Sequence, residues 1–265
     1  MTMLSSIRAV LFDMDGVLYR GKTALLGVTE LLAFLDQHAI AYGCITNNAT
    51  MTPQQYEQKL TAMEIAIPAQ RVLTSALVTN YYLRANYPRG TTVFAIGMRG
   101  LRDALFGDGY FVPDKQSPQL VVQGADFEIN YETLKRGCLA IRAGARFIAT
   151  NPDRTFPTEE GLTPGAGAIT AALQAATDVE PLVIGKPQPT MFQVAIELLN
   201  STPETTLVVG DRLDTDIAGA RNAGLPSALV LTGVSTRDEV AQSSHQPDLI
   251  YDGLAELLDA WRTAL

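Results

Sequence analysis

The chain has 265 residues, 47% of them hydrophobic, a formal net charge of -8 and two cysteines. This hydrophobic content supports a packed core and excludes an intrinsically disordered chain, while the acidic balance excludes broad binding to nucleic-acid polymers or anionic membranes. Cys44 and Cys138 alone supply neither a disulfide framework nor a zinc-ligand spacing.

No apolar run reaches membrane-spanning length, and MTMLSSIRAVLFDMD lacks the basic region and cleavage site of a signal peptide. The expectation is a cytoplasmic protein with no membrane partner. The first element, AVLFD (Ala9 to Asp13), reads as a strand covered on both faces because its apolar run is continuous. VTELLAFLDQHA follows as a helix with Leu31, Leu32 and Leu35 on one face. AYGCITNN (Ala41 to Asn48) reads as a second buried strand. In TPQQYEQKL, Thr52 takes the N-cap position, Pro53 the first helical position and Gln55 the capping-box spacing.

From about Thr91 to Leu182 a second set of units appears: TVFAIG, LRDAL, LVVQG, YETLKRGCLAIRAG, RFIAT and GAGAITAALQAAT. The outer frame then resumes. TMFQVAIELL is a helix striped by Phe192, Ile196 and Leu199, and TLVVGD is a strand ending at Asp211. TDIAGARNAGLP is a helix stopped by Gly224 and Pro226, and SALVLTG and DLIYDG are further strands. Strands alternating with helices predict an α/β fold, a doubly wound parallel sheet with a smaller α/β domain inserted in it. The spans read as core over 1–88, insert over 89–182 and core again over 183–265.

Chemistry-bearing residues cluster where strands end. Asp13 and Asp15 follow the first strand, one residue apart and just before Gly16. Ligands of parallel sheets bind at such carboxyl ends, and two acids there form a hard-oxygen site suited to Mg2+. Thr46, Asn47 and Asn48 end the second strand with a hydroxyl, amides and backbone N–H groups that can bind phosphate oxygens. Lys186, between Gly185 and Pro187, can act as a point charge on a phosphate. Asp211 ends a third buried strand, and Asp214 and Asp216 follow it, where a helix dipole favours acids. Each of these taken singly is equally a polar turn, a solvated lysine or a cap. Together they converge on one edge of one sheet.

DMDGVLYRG, TNN, GKP and GDRLDTDIAGARNAG resemble the four motifs of the haloacid dehalogenase superfamily. More narrowly, the chain resembles the NagD-like, p-nitrophenylphosphatase-type branch, whose α/β cap is inserted between the second and third motifs. The long span from Thr46 to Lys186 and the stretches SALVTNYYL, IATNPDRTFPTEEGLTPGAGAI and LTGVST agree with it, so the resemblance covers the whole chain. It implies a Mg2+-dependent phosphatase acting on small phosphorylated metabolites of nucleotide, sugar or phosphoglycolate type. Asp13 would be the nucleophile and Asp15 the acid and base. Asp13, Asp211 and the Asp15 carbonyl would bind metal, with Asp216 supporting the metal waters or Lys186 from behind. Thr46, Asn47 and Lys186 would hold the phosphoryl group, and Arg212 would lie beside the substrate entrance. The second acid favours a phosphatase over a dehalogenase. A phosphomutase and a catalytically idle binding module are the alternatives. The family also allows a homodimer through the cap. A dinucleotide-binding oxidoreductase is excluded, since acids stand where its G-x-G-x-x-G would be.

The best candidate for a substrate-facing cap segment is Ala149 to Gly167, with Asn151, Asp153, Arg154 and Phe156; for each residue a structural connector is the competing reading. Cys44 reads as buried and inert, His38 and His245 as surface residues, and Trp261 as packing for the last helix.

Overall fold

The computed structural model describes residues 2–158 and 160–264; Met1, Glu159 and Leu265, which fall within the spans drawn above, lie outside the described residues. In chain order, β1 (Ala9–Phe12) is followed by a short hairpin, β2 (Tyr19–Arg20) and β3 (Thr23–Ala24), then by β4 (Ala41–Thr46) and β5 (Val72–Thr74). The inserted strands are β6 (Thr92–Ile96), β7 (Val112–Pro113), β8 (Leu120–Gln123), β9 (Arg146–Ala149), β10 (Thr155–Thr158), β11 (Gly161–Pro164) and β12 (Leu182–Val183). The chain closes with β13 (Thr206–Gly210), β14 (Ser227–Val230) and β15 (Leu249–Tyr251).

The chain divides into two compact units. One comprises Met1–Thr46, Gln54–Leu73 and Lys186–Leu265; the other comprises Asn47–Pro53 and Thr74–Gly185. The second unit therefore takes in the helix Ser75–Asn86, which the sequence spans had left in the core. The physical reason is local. Thr74 caps this helix by accepting from the Leu77 amide, and the buried face formed by Ala76, Val78, Thr79 and Leu83 needs a partner. The helix packs against Arg99–Phe106 of the same unit.

The first unit is built on a six-stranded sheet in the order β15-β14-β13-β1-β4-β5. The pairs β1–β13, β1–β4, β13–β14 and β14–β15 are parallel. Every residue of β1, β13 and β14 is buried, as continuous apolar runs require of strands covered on both faces. The helix Val28–Gln37 buries Val28, Leu31, Leu32, Phe34 and Leu35. The helix Leu254–Ala264 buries Leu254, Leu257, Leu258 and Trp261, whose ring centroid lies 6.2 Å from that of Phe34. Each such side chain contributes roughly 1.5–3 kcal/mol over its exposed state. In the helix Pro189–Leu198, Phe192 and Ile196 are buried, whereas Leu199 is the half-buried C-cap.

The second unit holds a five-stranded sheet in the order β12-β9-β8-β6-β7, parallel throughout. Phe94, Ile96, Val121, Ile141, Phe147, Ile169 and Leu173 form its core. Within the Pro/Gly-rich segment after β9, β10 and β11 pair as an antiparallel hairpin. No helix among the described residues is long and apolar enough to cross a membrane.

Candidate active site

The strand register places the functional residues of the first unit. Phe12 of β1 pairs with Val209 of β13 on one side and Cys44 of β4 on the other. Asp13, Asp211 and Thr46 therefore leave three adjacent strands within about two residues of one level. The Asp13 amide still donates to the Val209 carbonyl, at 2.9 Å, so the sheet itself fixes where its side chain departs.

Lys186 reaches this edge and is nearly completely buried, its side chain only 3% exposed. Its Nζ donates to Asp13 Oδ1 at 2.5 Å, to Asp216 Oδ1 at 2.7 Å and to the Ile45 carbonyl at 3.5 Å. Burial alone would depress the ammonium's pKa, but the charges of Asp13 and Asp216 outweigh it and hold the group protonated. Burial raises Asp13 well above the usual carboxylate range, Lys186 opposes that shift, and Asp216 and Asp211 add to it. The lysine is thus the group that favours the ionised form of an enclosed Asp13, against burial and two neighbouring carboxylates.

Asp211 is 1% exposed. Its Oδ2 accepts from the Val234 amide at 2.8 Å, while its Oδ1 has no hydrogen-bond partner among the described residues. Burial, reinforced by the charge of Asp216, pushes its pKa up to about 7. Gly16 and Gly233 make room for this carboxylate. A Cβ on Gly16, whose φ is +86°, would lie 2.5 Å from Asp211 Oδ2, and one on Gly233 would lie 1.9 Å from it. Asp13, Asp211 and Asp216 each present an oxygen within 4.8 Å of the others. Three carboxylates against one ammonium, an orphaned buried oxygen and a cradle without side chains all fit a hard divalent cation.

Asp216 lies in a π-helical turn, Leu213–Ile217, rather than at the start of a regular helix. Its Oδ1 is bound by Lys186 and its Oδ2 by the Arg212 amide at 3.1 Å, so both oxygens already have protein donors. The Arg212 guanidinium forks onto Asp214, at 3.1 and 2.9 Å. Its charge is neutralised within its own loop.

Asp15 is exposed, on the turn after β1, where the Gly16 amide donates to the Tyr19 carbonyl at 2.8 Å. Partial burial raises the Asp15 pKa against the opposing charges of Lys59 and Arg20. Lys59 sits over the Tyr19 ring, 4.0 Å from its centroid. Thr46 shares a side-chain hydrogen bond with the buried Tyr56. Cys44 is fully buried, and burial drives its thiol up to about 12, as expected of an inert core residue.

In the second unit, Asn47 is buried and bonded to Ser75, Asn151 and Asp153. Of the four cap candidates, Asn151 is buried and Asp153 is turned onto Asn47; Arg154 is exposed, and Phe156 meets the exposed Phe127 edge-on at 5.2 Å. Sequence reasoning missed Tyr56, Lys59, Ser75 and the Gly233–Val234 contact. LTGVST carried the only signal for the last of these, as a matching stretch without an assigned task.

A family model of haloacid dehalogenase-like hydrolases matches residues 10–110, and a HAD-hydrolase-like model matches residues 183–257. The chain is 36% identical over 255 residues to an acid sugar phosphatase of Staphylococcus saprophyticus, covering 96% of this chain and 98% of that protein. It superposes on the crystal structure of 4-nitrophenylphosphatase from Thermotoga maritima with a TM-score of 0.94 and 35% identity, covering 98% of this chain and 100% of the other. The glycerol phosphate phosphatase of Mycobacterium tuberculosis, crystallised in complex with magnesium, matches with a TM-score of 0.88 and 33% identity, over 97% of this chain and 78% of that one. With paired acids, a buried lysine and a third strand-end carboxylate at the edge of such a sheet, the chain belongs to the haloacid dehalogenase superfamily of hydrolases, in its NagD-like, p-nitrophenylphosphatase-type branch.

Proposed function

We propose that the protein is a Mg2+-dependent phosphatase of small phosphate monoesters, working through an aspartyl-phosphate on Asp13. The observation that carries this reading is the Lys186 bridge between Asp13 and Asp216, beside the orphaned Asp211 oxygen. Relatives named as phosphatases of sugar, nitrophenyl and glycerol phosphates support the class of substrate.

Asp13, Asp211 and the Asp15 carbonyl would hold Mg2+. The ion supplies charge neutralisation for phosphoryl oxygens. Thr46, the Asn47 amide and Lys186 bind the transferring phosphoryl group and set it in line with Asp13. An Asp13 oxygen attacks phosphorus as the ester P–O bond breaks, and Asp15 gives its proton to the departing alkoxide. Asp15 then takes a proton from water, whose oxygen attacks the phosphoryl group; orthophosphate leaves and Asp13 returns as a carboxylate. Asp216 holds Lys186 in place from behind.

Phosphate release from p-nitrophenyl phosphate with Mg2+, lost in EDTA, is the direct test. No release across a panel of sugar, glycerol and nucleotide phosphates would overturn the reading. Metal should also change how stability responds to pH. Without it, Asp211 is pushed up to about 7 when folded, against roughly 3.9 for an ordinary aspartate, so the unfolded chain sheds this proton first. Stability then falls as pH rises through that interval and levels off above it. A bound cation favours the ionised carboxylate and cancels the fall. The rise in melting temperature from EDTA to Mg2+ should therefore be larger at pH 8 than at pH 5; a pH-independent difference would show that Asp211 does not ligate.

A further inference from the structure

Asn47 follows Thr46 directly in sequence but packs with the inserted unit. Its carbonyl accepts two hydrogen bonds, from Ser75 Oγ at 2.5 Å and Asn151 Nδ2 at 2.7 Å. Its own Nδ2 donates to Asp153 Oδ1 at 3.1 Å. Asn151 is only 4% exposed, and its remaining bonds are also internal: Nδ2 reaches Thr150 Oγ1 at 3.1 Å, and Oδ1 accepts from the Asp153 amide at 3.2 Å. The second passage of the chain between the units is tied to the same place. The Gly185 amide donates to the Thr150 carbonyl at 2.9 Å, and a Cβ on Gly185 would lie 2.6 Å from Asn47 Oδ1. Residues 150–153 therefore bond to both Asn47 and Gly185, the residues that follow Thr46 and precede Lys186 in the chain.

We propose that Asn151 is a positioning residue for phosphate: from the inserted unit it fixes the backbone of Asn47, whose N–H the proposed function assigns to the phosphoryl group. This rests on that reading and adds a task for the insert that is independent of which ester is bound. A residue held at its carbonyl and at its side chain has its amide already set. Released, it must be ordered by the ligand, and ordering one residue weakens binding by about tenfold. The competing role, direct contact with the ester group, is poorly served by a buried amide already bonded to Asn47 and Thr150.

The test compares wild type with Asn151→Ala, Asn151→Asp and Ser75→Ala, each checked for an intact thermal transition. Asn151→Asp keeps the shape and the acceptor for the Asp153 amide but replaces the donor to the Asn47 carbonyl. Orthophosphate affinity is measured by calorimetry with Mg2+ present. KM and kcat are measured for p-nitrophenyl, glycerol and sugar phosphates. Both Asn151 variants should weaken orthophosphate by about tenfold and raise KM by the same factor for every ester, with a smaller change in kcat. Ser75→Ala should move the same quantities in the same direction, and it carries the comparison if Asn151→Ala does not fold. A loss that differs from ester to ester, unchanged orthophosphate affinity, or wild-type behaviour of Asn151→Asp would overturn the proposal. Wild type that binds orthophosphate yet hydrolyses no ester would sink the phosphatase reading alone, with the binding comparison still deciding Asn151. Wild type that binds no orthophosphate would sink both.

Discussion

Asp13→Asn should lower kcat on p-nitrophenyl phosphate by about 10⁴-fold or more while leaving the protein folded and no less heat-stable. The amide occupies the space of the carboxylate and can still accept from Lys186 Nζ, but it is a poor nucleophile and a neutral one. Stability should hold or rise in EDTA, because the wild-type charge is disfavoured by burial and by Asp216 and Asp211. One carboxylate fewer leaves Lys186 paired to Asp216. Steady-state kinetics and a melting curve on the same preparation check both halves. Turnover within tenfold of wild type would remove Asp13 from the chemistry.

Lys186→Met should fail in a different way, by destabilising the protein as well as silencing it. The side chain is of similar length, but the cation shared by Asp13 and Asp216 is gone. Removing one partner of a buried ion pair costs about 3–5 kcal/mol, which for a chain of this size is on the order of 10 °C in melting temperature. The deficit should depend on pH. Carboxylates whose folded pKa is raised weaken the fold as they ionise, so the gap between variant and wild type, measured in EDTA, should be widest near pH 8 and narrow toward pH 5. Activity should drop by at least about 10²-fold through the lost phosphoryl contact. Equal melting temperatures at pH 8 would show that the lysine bears no structural charge.

The sheet of the first unit was legible because its strands are continuous apolar runs, a signal that survives without any knowledge of neighbours. β5 was not read, since three residues after a 3-10 turn at Ala69–Arg71 are too few to display a period. The β10–β11 hairpin was hidden for a different reason: Thr155, Thr158, Gly161, Leu162 and Pro164 are all exposed, so no alternation of buried and exposed positions marks it. At the site, Asp13, Thr46 and Asp211 could be grouped in advance, because adjacent parallel strands deliver their last residues to one edge. Lys186 was expected as a cation for phosphate, and support from Asp216 was among the expectations of the resemblance, whereas its contact with Asp13 depends on a fold that sequence spacing does not encode. The contact from Asn151 to Asn47 is the extreme case. Its acceptor is a backbone carbonyl, which every residue possesses, so nothing in the side-chain pattern marks it.

The missing side chains at Gly16 and Gly233 also bear on how this protein can change over generations. Any base change in a glycine codon that alters the residue brings at least a Cβ, and at both positions that atom would meet the Asp211 carboxylate. No small step away from glycine exists there, so random drift in this corner is purged rather than sampled. Variation that retunes the choice of ester is left to positions where a side chain can be exchanged without touching that carboxylate. Libraries built to redirect the enzyme should hold residues 16 and 233 constant.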